Sequence, residues 1–230
     1  MNVRGLPTFR STSGTTAVGR RAAGMHEGID VLAAAAPGLR GALLAASAAG
    51  HAHVTVEGTL IRTDRCHIPA PTVRTDRSGR QSGPVVVGQA PAHGGNVQVI
   101  AAPDGWSLWT SGVRPRREHD TTALRTHAQA LPLLAERTDE ARAVLVDLGY
   151  EGERGVLTTP VKTTVGRRLT ADQRTVNLLH AATRALAERG NSLLKITFKA
   201  LRRVSLCPWR IGAITAAALV LLHHQHGRTT

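Results

Sequence analysis

Residues 143–150 read AVLVDLGY, from Ala143 to Tyr150. Four apolar residues in a row close on an acid and a glycine, with no polar residue alternating among them. A short, wholly apolar run of this kind suits a strand buried on both faces. Helical patterns flank it. Upstream, a helix is expected from His119-Asp120 toward Glu136, bent or split by Pro132. Downstream, Thr170 with Gln173 three residues on forms a capping-box pattern. It opens a long helical pattern from Ala171 to about Arg203. A buried strand between two helices belongs to an α/β sheet covered by helices.

Moving outward, Val54 to Arg62 (VTVEGTLIR) has strand composition. Residues 69–95, rich in Pro, Gly, Arg and Ser, read as a long loop or hairpin. Asn96 to Ala101 (NVQVIA) and the WSLWTSG segment flank the turn signal Pro103-Asp104-Gly105, so they predict a hairpin. Glu27 to Ala49 predicts two short helices broken near Pro37-Gly38, and Trp209 to His224 predicts a closing helix. The strands come first and then alternate with helices, which predicts a mixed sheet flanked by helices. The expected division is an irregular segment over 1–25, a short helical lead-in over 26–50, and one sheet domain over 51–226.

The chain has 230 residues, room for one medium core, and only 3% aromatics, so Ala, Val, Leu and Ile must build that core. The net charge is +13. Residues 161–210 hold eleven Lys/Arg against Asp172 and Glu188. Such a surface favours a polyanion, nucleic acid first; an anionic membrane surface and a generally Arg-rich composition are the competing explanations. The N-terminus lacks an apolar signal core, and Ile211 to Leu222 is too short to span a bilayer. Two cysteines, Cys66 and Cys207, fit a reduced cytoplasmic protein without a membrane segment.

Three carboxylates are spaced along these elements. Glu57 lies mid-strand, Asp147 closes the buried strand, and Glu188 lies on the long helix. Phosphodiester chemistry needs a nucleophile activated against a charged phosphate, and two divalent ions can supply that. Mg²⁺ prefers hard carboxylate oxygens and keeps water and phosphate as its other ligands. At 100° per residue the apolar stripe of the long helix takes in Leu178, Leu179, Ala182, Ala185, Leu186 and Leu193. Glu188 falls off that stripe, with Arg184, Asn191 and Lys195. A surface pair of Arg184 with Glu188 and a turn role for Asp147 remain open alternatives. Lys195, Lys199, Arg202 and Arg203 follow on the same helical pattern and form a candidate phosphate-binding face, and with Arg184 they are the candidate DNA-binding residues.

The ordered set of motifs resembles the DDE-superfamily transposases of bacterial insertion sequences, in the group similar to Harbinger-type elements. The family's strand motif D-G-T is matched by Glu57-Gly58-Thr59. Its helix-opening H-D is matched by His119-Asp120, and its D-x-G-Y by Asp147-Leu148-Gly149-Tyr150. The stretch NLLHAATRALAERGNSLLKITFKALRRVSLCP is similar to its C-terminal helix, whose glutamate is here Glu188. The resemblance implies an RNase H-like fold and Mg²⁺ or Mn²⁺ bound by Glu57, Asp147 and Glu188, with Asp120 as an assisting acid or site neighbour. It also implies DNA cleavage and strand transfer at terminal inverted repeats, a nucleoid-associated location in a bacterial cytoplasm, and room for a homodimer.

Three departures qualify the expectation. Glu57 replaces an Asp, adding a methylene worth about 1.5 Å. Misplacement near 1 Å can lower a rate about a hundredfold. A segment with a DNA-contacting Lys is replaced by Val85 to Gln89, and only about 25 irregular residues precede Glu27, where relatives carry a helix-turn-helix. An inactive, shortened copy is therefore expected as one outcome, and a non-catalytic DNA-binding remnant is the alternative. His223, His224 and His226 read as an exposed tail, and Cys66-His67 as at most half a zinc site.

Overall fold

The computed structural model describes residues 13–64, 74–75, 81–82 and 94–229, with side chains from residue 23 and outside the two short strands at 74–75 and 81–82. Cys66-His67 and Val85 to Gln89 lie outside the described residues. A helix α1 spans Ser13–Ala34 and α2 spans Leu39–Ala48. The break at Pro37-Gly38 is where the sequence places it. The helix reaches back to Ser13, however, into the segment expected to be irregular. α1 packs along the closing helix α6 (Ile211–His226). Tertiary packing of this kind supplies the stability that a weakly periodic sequence lacks.

Strand β1 (His53–Thr63) runs through the sheet. After the short hairpin β2 (Arg74–Thr75) and β3 (Gln81–Ser82) come β4 (Gly94–Ala101), β5 (Ser107–Thr110) and β6 (Arg114–Pro115). β7 is Ala143–Leu145 and β8 is Arg203–Val204. The order is β5-β4-β1-β7, with β6 on β4 and β8 on β1. β1 is antiparallel to β4 and parallel to β7 and β8. This is the mixed sheet flanked by helices that the strand and helix patterns predict. Val144 and Val146 are fully buried, and Ala143 and Leu145 half-buried.

The helix expected from His119-Asp120 to Glu136 is two helices, α3 (Asp120–Arg125) and α4 (Ala130–Arg137). The break falls ahead of Pro132, which sits in the first turn of α4. There its missing N–H leaves no intrahelical bond unmade. α5 spans Ala171–Thr197 behind the predicted capping box: Gln173 N donates to Thr170 Oγ1 at 3.2 Å, and Thr170 N donates to Gln173 Oε1 at 3.0 Å.

α5 ends six residues before the expected Arg203. Phe198 leaves helical geometry at φ −106°, ψ 95°, a short 3₁₀ turn covers Lys199–Leu201, and Arg203 enters β8. Arg202 folds back and donates to the Lys195 and Ile196 carbonyls at 3.2 and 3.3 Å. These are the carbonyls left open at a helix end. Lys195, Lys199, Arg202 and Arg203 therefore do not share one helix face.

The phase of α5 is also the reverse of the expectation. Its buried residues are His180, Ala187 and Leu194. Leu178 is 72% and Leu179 63% exposed. The mostly polar stripe His180–Arg184–Ala187–Asn191–Leu194 turns toward the sheet, because the sheet presents a carboxylate there. Two glycines set the helix against the β4–β5 turn. A Cβ on Gly190 would meet the Gly105 carbonyl oxygen at 1.7 Å, and one on Gly105 would meet the Leu186 oxygen at 2.1 Å. Only backbone against backbone fits, and Gly105 also takes φ +89°.

α6 packs against β5 and buries Ile211, Ile214, Leu219 and Leu222. His223, expected in an exposed tail, is buried: its Nε2 lies 2.7 Å from the Ser107 oxygen, and its ring stacks on Trp106. His224 and His226 are exposed. Among the described residues no single helix is long and apolar enough to cross a membrane; the end of α1 with α2 passes that test only as a bent pair.

Candidate active site

Alternation along β1 sends Glu57 to the α5 side of the sheet and Gly58 to the other. Glu57 is 7% exposed. Arg184, projecting inward from α5, meets it: Nε and Nη2 each lie 2.7 Å from Glu57 Oε1. The same Nη2 lies 3.8 Å from Asp147 Oδ2 and 3.8 Å from Glu188 Oε1. The three carboxylates named from sequence thus come from a strand, a strand end and a helix to surround one guanidinium. Arg184 is nearly buried at 14% side-chain exposure, whereas the Glu188 side chain is 64% exposed and forms the outer rim.

Asp147 has two tasks. Its Oδ1 accepts from Gly149 N at 2.7 Å, capping the 3₁₀ turn Leu148–Glu153, while Oδ2 faces Arg184. The turn role is therefore realised through one oxygen, and the other oxygen faces the guanidinium. The i,i+4 pairing of Arg184 with Glu188 also exists, but Glu57 holds the shorter contact.

Burial pushes the Glu57 carboxyl up to about 7; Arg184 pulls it down, and the charges of Asp147 and Glu188 raise it further. A carboxylate taken from water needs a cation beside it. Among the described residues no group of three or more His, Cys, Asp or Glu side chains is placed to hold a metal ion as it stands. The cation at the centre is Arg184, and the oxygens around it are the hard donors a divalent ion such as Mg²⁺ requires.

Asp120 belongs to the other face. Its Oδ1 accepts from Asn96 Nδ2 at 2.6 Å and from Gln98 Nε2 at 3.4 Å. Gln98 Nε2 also donates to Asn96 Oδ1 at 3.0 Å, and the Tyr150 hydroxyl donates to Gln98 Oε1. Burial, followed by the charges of Asp120, Asp147 and Glu57, pushes the Tyr150 phenol far above its usual range. A Cβ at position 58 would meet Asp120 Oδ1 at 2.1 Å, so Gly58 is what lets Asp120 dock on β1. The structure places Asp120 beside the strand that bears Glu57, without an ion pair to Arg184.

Sequence reading passed over Asn96 and Gln98. Their signal was two polar residues at period two in an otherwise apolar, buried strand.

Of the candidate DNA contacts, Lys195 donates to the Leu60 oxygen at 3.2 Å, and burial lowers its pKa. Arg203 pairs with Asp64. Lys199 and Arg202 are exposed on the turn after α5.

The sequence model of a family described as DDE superfamily endonuclease matches residues 56–223, a span that holds Glu57, Asp120, Asp147, Arg184 and Glu188. Among solved structures, the chain is similar to one titled crystal structure of the Mos1 mariner paired end complex with Mn, at 10% identity and a TM-score of 0.26. That likeness covers 83% of this chain and 61% of the other, so this chain spans about three fifths of its length. No curated protein matches the chain.

Proposed function

The chain belongs to the DDE superfamily of endonucleases, and from that premise we propose that it is a Mg²⁺- or Mn²⁺-dependent transposase. It would cut double-stranded DNA and join strands at the terminal inverted repeats of a bacterial insertion sequence, acting in the cytoplasm at the nucleoid. The observation that carries this reading is the meeting of Glu57, Asp147 and Glu188 around a single cation. Acids drawn from three elements that face one positive charge offer oxygen donors that suit a hard divalent ion. Glu57, Asp147 and Glu188 would hold the metal. Metal ions bound there would activate the attacking oxygen and stabilise the leaving one.

The chain's own groups divide the remaining work. Asp147 is fixed by its cap to Gly149. Glu57 is fixed by β1 and excluded from water. Glu188, at the exposed rim, would contribute its carboxylate where solvent and a DNA backbone can reach the metal. Lys195, Lys199, Arg202 and Arg203, with Arg184, supply positive charge for that backbone, from the end of α5 and the turn beyond rather than from one helix face. Asp120 is a positioning residue, acting on β1 through Gly58. A symmetric pair of chains would suit two element ends.

One observation favours a second reading, DNA binding without cutting: the Glu57 carboxylate is already paired with Arg184. Divalent-metal-dependent nicking of supercoiled plasmid decides between them. Nicking that is lost in Asp147→Ala supports the enzyme. Retained DNA binding with no nicking in Mg²⁺ or Mn²⁺, by the natural chain or by Glu57→Asp, supports the binding remnant.

A further inference from the structure

Arg184 occupies the place of a cation. Its Nε and Nη2 share Glu57 Oε1, and Nη2 reaches toward Asp147 and Glu188. All three acids assigned above to a metal therefore face one resident positive charge, and the most buried of them is the one held most closely. A divalent ion entering this site would bring two charges beside a third at a few ångströms, with Glu57 and Arg184 shielded from water and Asp147 and Glu188 partly open to it. That repulsion is large. Metal ligation by Glu57 and retention of Arg184 on Glu57 are therefore competing states of one site.

The guanidinium has another destination. Arg184 sits one helical turn from Glu188, whose side chain is 64% exposed, so the stem begins close to the open rim. A guanidinium binds a phosphate with the same fork geometry with which it binds a carboxylate. A phosphodiester arriving at the rim competes with Glu57 for it.

We propose that Arg184 is the built-in counter-ion of the acid triad: it keeps divalent metal out of the DNA-free protein and leaves Glu57 for a DNA phosphate, so that DNA binding precedes and licenses metal binding. The proposal rests on the reading of the three acids as metal ligands. In a nuclease that acts on its own genome's DNA, this order keeps the loaded state confined to protein already seated on a strand. The coupling is reciprocal: metal tightens DNA by the factor by which DNA tightens metal.

The test is equilibrium binding of Mn²⁺ to the full chain, followed by the electron-paramagnetic-resonance signal of free Mn²⁺, with and without a saturating short DNA duplex. The proteins are the natural chain, Arg184→Gln, Arg184→Lys and Asp147→Ala. In the natural chain, duplex DNA should tighten Asp147-dependent Mn²⁺ binding by about tenfold or more. Arg184→Gln, whose amide can still donate to Glu57 but carries no charge, should bind Mn²⁺ about tenfold more tightly than the natural chain without DNA, and the duplex should add less than about threefold. Arg184→Lys retains a cation and should keep the natural weak DNA-free binding; it also reports on folding should Arg184→Gln be unstable.

Equal Mn²⁺ affinity of the natural chain with and without duplex overturns the proposal. So does a DNA-free affinity that is the same in Arg184→Gln as in the natural chain. Asp147-dependent binding that ignores Arg184 would sink this inference alone. The absence of any Asp147-dependent Mn²⁺ binding, with DNA present, would sink the underlying metal-site reading together with it.

Discussion

Two carboxylates approach the middle of β1 from opposite faces of the sheet, and they are satisfied in opposite ways. Asp120 rests against Gly58 and is held by the side-chain amides of Asn96 and Gln98, themselves tied to Tyr150. Glu57, one residue earlier, is held by the guanidinium of Arg184. The amide-held acid has neutral donors fixed on a strand, and nothing about them can be exchanged. The cation-held acid has a partner on a long side chain that reaches it from another element, α5. Fixed neutral donors on a neighbouring strand suit a carboxylate that builds the fold; a charged partner reaching across from a helix suits one whose pairing can change.

The largest change is expected at the acids around Arg184. Asp147→Ala removes the oxygen facing Arg184, and metal-dependent plasmid nicking should fall about a thousandfold or more, the several kcal/mol that metal catalysis supplies. A nicking rate within tenfold of the natural chain's would separate Asp147 from the reaction.

The structural side is probed at Gly58. In Gly58→Ala the new methyl meets Asp120 Oδ1 and must push it off its amides, a loss of about 1–3 kcal/mol and a drop of roughly 2–12 °C in Tm by calorimetry. Asp120→Asn sharpens the contrast. The Asn oxygen can accept the same two bonds, so stability should stay within about 1 kcal/mol, whereas Asp120→Ala orphans two buried amides at about 1–3 kcal/mol.

The two acids also differ in pH response. The carboxyl of Glu57 is raised from 4.5 to about 7 in the folded chain. The folded state therefore binds its proton more tightly than the unfolded state does. The corresponding stability is fully present below pH 4.5 and is lost as pH rises through about 7. Denaturant titrations between these limits should show a fall of about 1–3 kcal/mol that is absent in Glu57→Gln.

The smallest effect is at the basic turn. Lys199→Ala should weaken binding to any duplex equally and lower the salt slope of log K by about one, with no change in Tm. A sequence-dependent loss would assign Lys199 to base reading instead.

Much of the frame was legible in the sequence because local signals agreed with tertiary ones. Pro103-Asp104-Gly105 marks the β4–β5 hairpin. Thr170 and Gln173 mark the start of α5, and the apolar run ending in Asp147 marks β7. The phase of α5 was not legible. Periodicity reports burial only where the surface opposite is apolar, and here β1 presents Glu57, so the face bearing Arg184 turns inward while Leu178 and Leu179 turn outward. The end of α5 was hidden for a related reason. Arg202 has good helix propensity, yet it closes the helix by bonding back to its last carbonyls. The three acids could be named from their order along the chain. Arg184 could be named as a basic neighbour of Glu188, but its place among all three acids could not, since that depends on a contact 127 residues away.

An anomalous difference map from crystals of the chain grown with a short DNA duplex and Mn²⁺ tests the acid site directly. Mn²⁺ density is expected between Glu57, Asp147 and Glu188, with the Arg184 guanidinium withdrawn from Glu57 onto a phosphate. Duplex bound in the site with Arg184 still on Glu57, and Mn²⁺ density elsewhere or nowhere on the chain, would contradict this expectation.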